Sequence, residues 1–399
     1  MGKRIIVAMP GDGIGKVVLD EAIRVLNVAG FDADYVEGDI GWEFWCSEGN
    51  PLPQRTLDLI AEHKIGLFGA ITSKPKDEAF NELDSVLQEK GLAYASPIVG
   101  LRQHFGLDIC LRPCRTYKGN PLNFIRKGGN DTIDEPQVDV AIFRQNTEGL
   151  YGGVEWSDPP PQVYDALMTH PKFKQNFGDT PVEEVSVSTR IFTKRCTERI
   201  LRAAFNHAKK YSYKSVTVCE KPNVIRETSG MMYKMAQEIQ KADFPEIELW
   251  NTNIDAQMMW LTKNPENYGV IVAGNMFGDI VSDGFAGLIG GLGFACSAQY
   301  NPETGIGVFE PTHGSAPKYA DYPVSIVNPI AMIESACMML DFIDEQIIAN
   351  KIRIAITEII AEGKVRTYDM AKMSGSPNVI KHGAASTTQM VDAIITKLK

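Results

Sequence analysis

Three things are scarce in this chain, and each scarcity closes off a class of function. The seven cysteines, Cys46, Cys110, Cys114, Cys196, Cys219, Cys296 and Cys337, are scattered, odd in number and contain no C-x-x-C pair. That excludes a disulfide scaffold or a zinc knuckle and points to reduced thiols in a cytosol-like, cytoplasmic setting. Positive charge is in deficit: 40 Lys and Arg against 50 Asp and Glu leave a net charge of −10, a poor balance for a nucleic-acid reader that must neutralise phosphates. Long apolar runs are missing too. The opening run 5–8 is too short for a signal sequence, and five glycines interrupt the uncharged stretch 284–302, so a close-packed core element is predicted there rather than a membrane span. Neither nucleic acid nor a membrane is an expected partner, although a local cluster of cations would still suit an anionic small molecule.

What is present is enough for two or three lobes: 399 residues, 44% of them hydrophobic, bury sizeable cores. Short β-branched runs at 4–8, 215–219 and 269–273 read as strands buried on both faces. Between them, 16–27 and 193–211 carry apolar residues at helical spacing. The alternation predicts an α/β fold. From residue 115 to about 185 the pattern weakens into Gly/Pro-rich text, as expected of a long functional loop or an oligomer arm. No flexible Gly/Ser tether separates the lobes, which predicts shared sheet strands instead.

The cluster Pro10-Gly11-Asp12-Gly13-Ile14-Gly15 follows a strand and opens a helix, the place where a dinucleotide fingerprint would sit. Its spacing fails the G-x-G-x-x-G test, because Lys16 occupies the last position, and no acid stands out about twenty residues on. It reads as a tight strand-to-helix turn.

Cations concentrate farther along. Arg102, Arg112, Arg115 and Arg144 lie close in sequence to Ser96, with Arg112 and Arg144 at or near strand ends. A guanidinium fork bonds both oxygens of a carboxylate, so several forks together suit a polycarboxylate; ordinary surface arginines are the plainer alternative. After the strand at 269–273, Asp279 and Asp283 stand four residues apart. On a helix they share a face and are spaced to hold one hard cation, Mg²⁺ or Mn²⁺. The helix dipole alone would favour Asp279 but not Asp283. Upstream lie Lys221, at a strand end, and Asp255. A lysine there carries protons only if neighbouring cations depress its pKa.

Taken together, Gly11-Asp12-Gly13-Ile14-Gly15, Leu111-Arg112-Pro113, the run Arg144-Gln145-Asn146-Thr147-Glu148-Gly149-Leu150-Tyr151, residues 275–283, and His313-Gly314-Ser315-Ala316-Pro317 resemble the metal-dependent decarboxylating dehydrogenases of 2R,3S-hydroxyacids. This is the isocitrate, homoisocitrate and 3-isopropylmalate dehydrogenase family. The resemblance covers nearly the whole chain and implies a non-Rossmann α/β fold with large and small lobes sharing a central sheet. The large, cofactor-side lobe would comprise 1–115 and 290–399, the small lobe 116–149 and 191–289, and a dimerisation clasp 150–190. It also implies a homodimer with sites at the subunit interface. By resemblance, Arg102, Arg112 and Arg144 clamp substrate carboxylates and Ser96 contacts the distal one. Asp279 and Asp283 hold the metal with the partner's Asp255, and Tyr151, Asp283 and the partner's Lys221 handle protons.

Substrate and nicotinamide rest on fewer residues. Ser96 fits the isocitrate pattern, whereas Ile98 stands where that pattern has Asn, which leaves homoisocitrate and 3-isopropylmalate open; Lys74 is a candidate for a further cation. His313 and Gly314 resemble the loop that receives the adenine ribose, and Asn328 the adenine contact. Lys318, Tyr319, Tyr368 and Lys372 resemble the set that meets a 2′-phosphate. The expectation is an NADP-dependent isocitrate-oxidising decarboxylase; a non-catalytic regulatory subunit should have lost Lys221, Tyr151 and the aspartates, all of which are present.

Overall fold

The computed structural model describes residues 3–128 and 132–399. Ten strands form one continuous sheet: β1 (Arg4–Gly11), β2 (Ala33–Glu37), β3 (Ile65–Ala70), β4 (Ile109–Arg115), β5 (Asp139–Gln145), β6 (Ser215–Glu220), β7 (Glu248–Asn253), β8 (Val270–Ala273), β9 (Cys296–Asn301) and β10 (Ile306–Pro311). Their spatial order is β7-β6-β8-β5-β4-β9-β10-β3-β1-β2. The outer strands pair in parallel, β7-β6-β8-β5 on one side and β10-β3-β1-β2 on the other, while β5-β4-β9-β10 run antiparallel at the centre. The parallel strands β3 and β6 are buried along their whole length, as helices on both faces require.

The expected helices extend over Gly15–Ala29 and Lys194–Lys210, each burying one apolar stripe. One large core joins Gly15–Ala29 to the helices Ile330–Phe342, Gln346–Glu362 and Thr387–Leu398; a second lies between β5, β6, β8 and the helices Lys194–Lys210 and Thr228–Asp243. All seven cysteines are unpaired. Among the described residues no helix is long and apolar enough to cross a membrane.

The weakly patterned stretch holds the two short helices Pro161–Met168 and Pro171–Phe177, neither of which buries a single residue, above a two-stranded ribbon of Glu155–Trp156 and Val187–Ser188. Phe177 and Val182 are exposed there.

His207 gives the second core a pH dependence. Its ring is half-buried against Phe143, Tyr211 and Tyr213, and burial, reinforced by Lys210, lowers its pKa from 6.5 to about 4. Below the ordinary histidine value the unfolded chain takes up a proton that the native state refuses, so the His207 contribution is present above that value and is lost as pH falls toward about 4. Urea unfolding should therefore show at most roughly 2 kcal/mol of stability lost to this group between about pH 7 and about pH 5. In His207→Phe the pH dependence should shrink by that amount; an unchanged dependence would contradict the assignment.

Candidate active site at the antiparallel centre

The antiparallel register explains why the cations meet. Cys110 on β4 pairs with both Arg144 on β5 and Gln299 on β9, and Arg112 pairs with Ile142. Residues directly opposite share a sheet face, as do residues two apart on a strand. Arg112, Arg144 and Gln299 therefore project to one side, together with Ser297 and its partner Glu310 on β10. A face that would otherwise be apolar core becomes a charged floor.

Helix Asn275–Ile289 packs on that floor, starting directly after β8. Gly278 permits the approach: a Cβ there would sit 2.7 Å from the Arg144 Cβ. The helix supplies the counter-charges. Arg112 Nη1 donates to Asp279 Oδ1 at 3.0 Å, Ser282 Oγ at 2.8 Å and Asp283 Oδ1 at 3.3 Å. Arg144 donates from Nη1 to Asp279 and from Nε to Asn275 Oδ1 at 3.0 Å. The Tyr151 hydroxyl donates to Asp279 Oδ2 at 3.3 Å, with the Arg144 guanidinium 5.5 Å from the centre of its ring.

Arg102 joins from helix Pro97–Phe105, held by Gln299 Oε1 at 2.5 Å and Glu310 Oε1 at 3.3 Å. Gln299 bridges to Glu310 and accepts from Asn146 Nδ2 at 2.9 Å. Burial raises the Glu310 pKa, and the charges of Arg102, Arg112 and Arg144 all oppose that rise, so the three cations share one neighbourhood. Burial, and then the Arg112 charge, pull Arg144 down to about 10. Burial also raises Tyr151, assisted by Asp279, and raises Asp283 against the pull of Arg112. A second guanidinium beside a buried one, as Arg112 is beside Arg144, suits an anion between them.

Ser96 caps the same helix as Arg102, yet its side chain makes no capping bond, which leaves the hydroxyl available. Ile98 packs against the core cluster that contains Leu52, Leu57 and Leu101, so its apolar character is accounted for by packing. Lys74 is engaged elsewhere: it pairs with Glu82 at 2.5 Å and lies 5.0 Å over the Trp42 ring. Arg115 pairs with Asp139 on the surface.

Lys221 and Asp255 form their own ion pair, which lowers the Asp255 pKa. Among the described residues no group of three or more His, Cys, Asp or Glu is placed to hold a metal ion within one chain. Two carboxylates with free oxygen capacity, Asp279 and Asp283, suit a hard cation but leave its shell incomplete.

A second cradle forms where the turn Gly11–Gly15 meets the loop 312–317. Asp12 accepts from the backbone of Trp42 and Thr72, both at 2.7 Å, and Ile14 N donates to Ser315 O at 2.9 Å. Gly13, at φ +54°, would place a Cβ 2.2 Å from that oxygen. His313 Nε2 and Thr312 Oγ1 are buried without partners. Nearby, the rings of Tyr319 and Tyr368 lie 5.5 Å apart and Lys318 Nζ sits 5.6 Å over Tyr319. Lys372 adopts φ +55° in the turn after Tyr368. Among the described residues neither Lys318 nor Lys372 has an acidic partner. These orphaned donors fit a phosphorylated nucleotide. Asn328 is buried, and its side chain is committed to Asp369 at 3.0 Å and the Ile330 amide at 3.0 Å.

The floor and the cradle suit an anionic substrate, a hard cation and a phosphorylated cofactor. A family model described as isocitrate/isopropylmalate dehydrogenase matches residues 5–394, and the chain belongs to that family. The chain is 37% identical to the protein DlpA of Legionella pneumophila over 392 residues, covering 98% of this chain but spanning only 58% of that protein. It is 36% identical to a homoisocitrate dehydrogenase of Methanocaldococcus jannaschii, over 90% of this chain and 91% of that one. The crystal structure of isocitrate dehydrogenase from Methylococcus capsulatus superposes with a TM-score of 0.79 at 32% identity, covering 99% of each chain. The expected α/β fold is that of this family.

Proposed function

We propose that this chain oxidises isocitrate with NADP and a divalent metal, Mg²⁺ or Mn²⁺, releasing 2-oxoglutarate and CO2. The observation that carries the reading is the shared floor: Arg102, Arg112 and Arg144 beside Asp279 and Asp283, with Tyr151 at their edge. Three forks suit a tricarboxylate, and Ser96 offers a hydroxyl to the distal group. A bound cation would supply positive charge to the substrate hydroxyl and its neighbouring carboxylate, and NADP would accept the hydride. The chain's own residues do the rest. Asp279 and Asp283, freed from Arg112 and Arg144 when substrate carboxylates take those forks, would hold the cation. Lys221 or Asp283 receives the hydroxyl proton. Tyr151, kept protonated by its raised pKa, donates a proton to carbon after CO2 departs.

We place the cofactor on His313, Gly314, Lys318, Tyr319, Tyr368 and Lys372, with Asn328 supporting its adenine end through the backbone. Lys221 and Asp255 act in the partner's site of a homodimer. Exposed Val224, Met259 and Trp260, close to them in sequence, and the helices at 161–177, which bury no residue, leave surface for a subunit contact. In this reading 1–115 with 290–399, 116–149 with 191–289, and 150–190 are the large lobe, the small lobe and the clasp. The likeness to a homoisocitrate dehydrogenase favours homoisocitrate as the second reading.

Steady-state assays with isocitrate, homoisocitrate and 3-isopropylmalate, each with NADP and NAD, test the proposal. Isocitrate with NADP should have the highest kcat/KM. A higher value with either other acid would overturn it.

A further inference from the structure

One fully buried carboxylate takes no part in the chemistry above. Glu220 ends β6, directly before Lys221, and has no exposed surface. A charge so placed must have every oxygen satisfied. Oε1 accepts the Gly274 N–H at 2.7 Å; Oε2 accepts Arg190 Nη2 at 2.7 Å and Ser229 Oγ at 2.5 Å. Arg190 Nη1 also reaches Thr228 Oγ1 and Ser229 Oγ, both at 2.9 Å, and Ser229 Oγ accepts the Lys221 N–H at 3.4 Å. The Arg190 guanidinium lies between the rings of Phe192 at 4.5 Å and Phe277 at 5.0 Å. Gly274 is pressed against the group: a Cβ there would sit 2.6 Å from both Glu220 Oε1 and the Phe192 ring.

Four separate segments are thus tied at one ion pair. They are the exit of the 150–190 stretch, the strand end that presents Lys221, the start of helix Thr228–Asp243, and the start of the helix that bears Asp279 and Asp283. Apart from this ion pair, no side-chain bond among the described residues joins the Lys221 strand end to the helix start at Gly274.

We propose that Glu220 is a positioning residue that sets the Lys221 strand end against the first turn of the aspartate helix. Its side chain acts as a spacer of fixed length, and Arg190 neutralises its buried charge. The proposal rests on the functional reading of Lys221 and Asp279 given above.

Length and charge can be separated. Glu220→Asp keeps the charge for Arg190 but is one methylene too short to reach Gly274. Glu220→Gln combined with Arg190→Met keeps the length and an acceptor for Gly274, and buries no unpaired charge. In Glu220→Asp, kcat should fall by at least about tenfold while KM for the acid and for NADP stays within about threefold, since a displacement of about 1 Å is felt at the reacting atoms and not in ligand affinity. Amide hydrogen exchange at residues 274–279 should accelerate in the same variant. The Gln/Met pair should restore kcat to within about threefold of wild type and restore slow exchange.

Wild-type kcat and exchange in Glu220→Asp would overturn the proposal, as would equal loss of both in the two variants. The exchange measurement needs no turnover. Absent isocitrate activity in the wild type would therefore refute the functional reading while leaving this one to be decided by exchange.

Discussion

Asp279→Asn should lower kcat/KM for isocitrate by about a thousandfold, because the several kcal/mol of charge stabilisation attributed to a bound cation convert to that factor at about 1.4 kcal/mol per decade. Among the described residues, Asp279 is the one that hydrogen-bonds Arg112, Arg144 and Tyr151 together. Asn preserves its shape and one acceptor, so the loss would be electrostatic. The half-saturating Mn²⁺ concentration should rise with it. Stability should fall as well, by about 1–3 kcal/mol, since Arg144 is nearly fully buried and would lose its counter-charge. Steady-state kinetics at several Mn²⁺ concentrations, read beside thermal melts, separate the two effects. A variant that melts early but keeps wild-type kcat/KM would show that Asp279 only neutralises arginines.

The next largest effect is expected at the nucleotide. Lys318→Asp should reduce kcat/KM with NADP by about a hundredfold and improve it with NAD. A charge-assisted contact to phosphate contributes about 1.5–3 kcal/mol, and the substitution replaces attraction with repulsion. Lys318 and Lys372 have no acidic partner among the described residues, so neither must be freed from an ion pair before meeting a 2′-phosphate. A lysine lacks the bidentate fork of arginine, and the wild-type preference for NADP should accordingly be one that a single substitution reverses. Kinetics with both nucleotides decide the matter; an unchanged NADP-to-NAD ratio would remove Lys318 from the site.

Much of the floor is legible in the sequence. Arg112 and Arg144 sit at the ends of apolar runs, and Asp279 and Asp283 sit four apart after a strand, so their helix and strands follow from local periodicity. The pairing that brings them together does not. Register is a long-range property: nothing in 109–115 announces that Cys110 lies between Arg144 and Gln299. Gln299 lies in the uncharged stretch 284–302, which is not one packed element but a helix end, a turn and β9. Glu310 carried a usable signal, a lone acid at the end of the apolar strand Ile306–Pro311, whose meaning appears only when Arg102 is seen against it. Lys74 shows the converse. Its charge invited a role at the ligand, but Glu82 and Trp42 already occupy it. Nothing in the sequence marks Glu220 or Arg190, because burial of an ion pair depends on four segments distant in sequence.

Removal of the divalent ion tests the central claim most directly. The purified protein, dialysed against a chelator and assayed with isocitrate and NADP, should show background turnover, and added Mn²⁺ or Mg²⁺ should restore it saturably, with NADPH and CO2 formed in equal amounts. Undiminished turnover in excess chelator, or NADPH formed without CO2, would contradict the account.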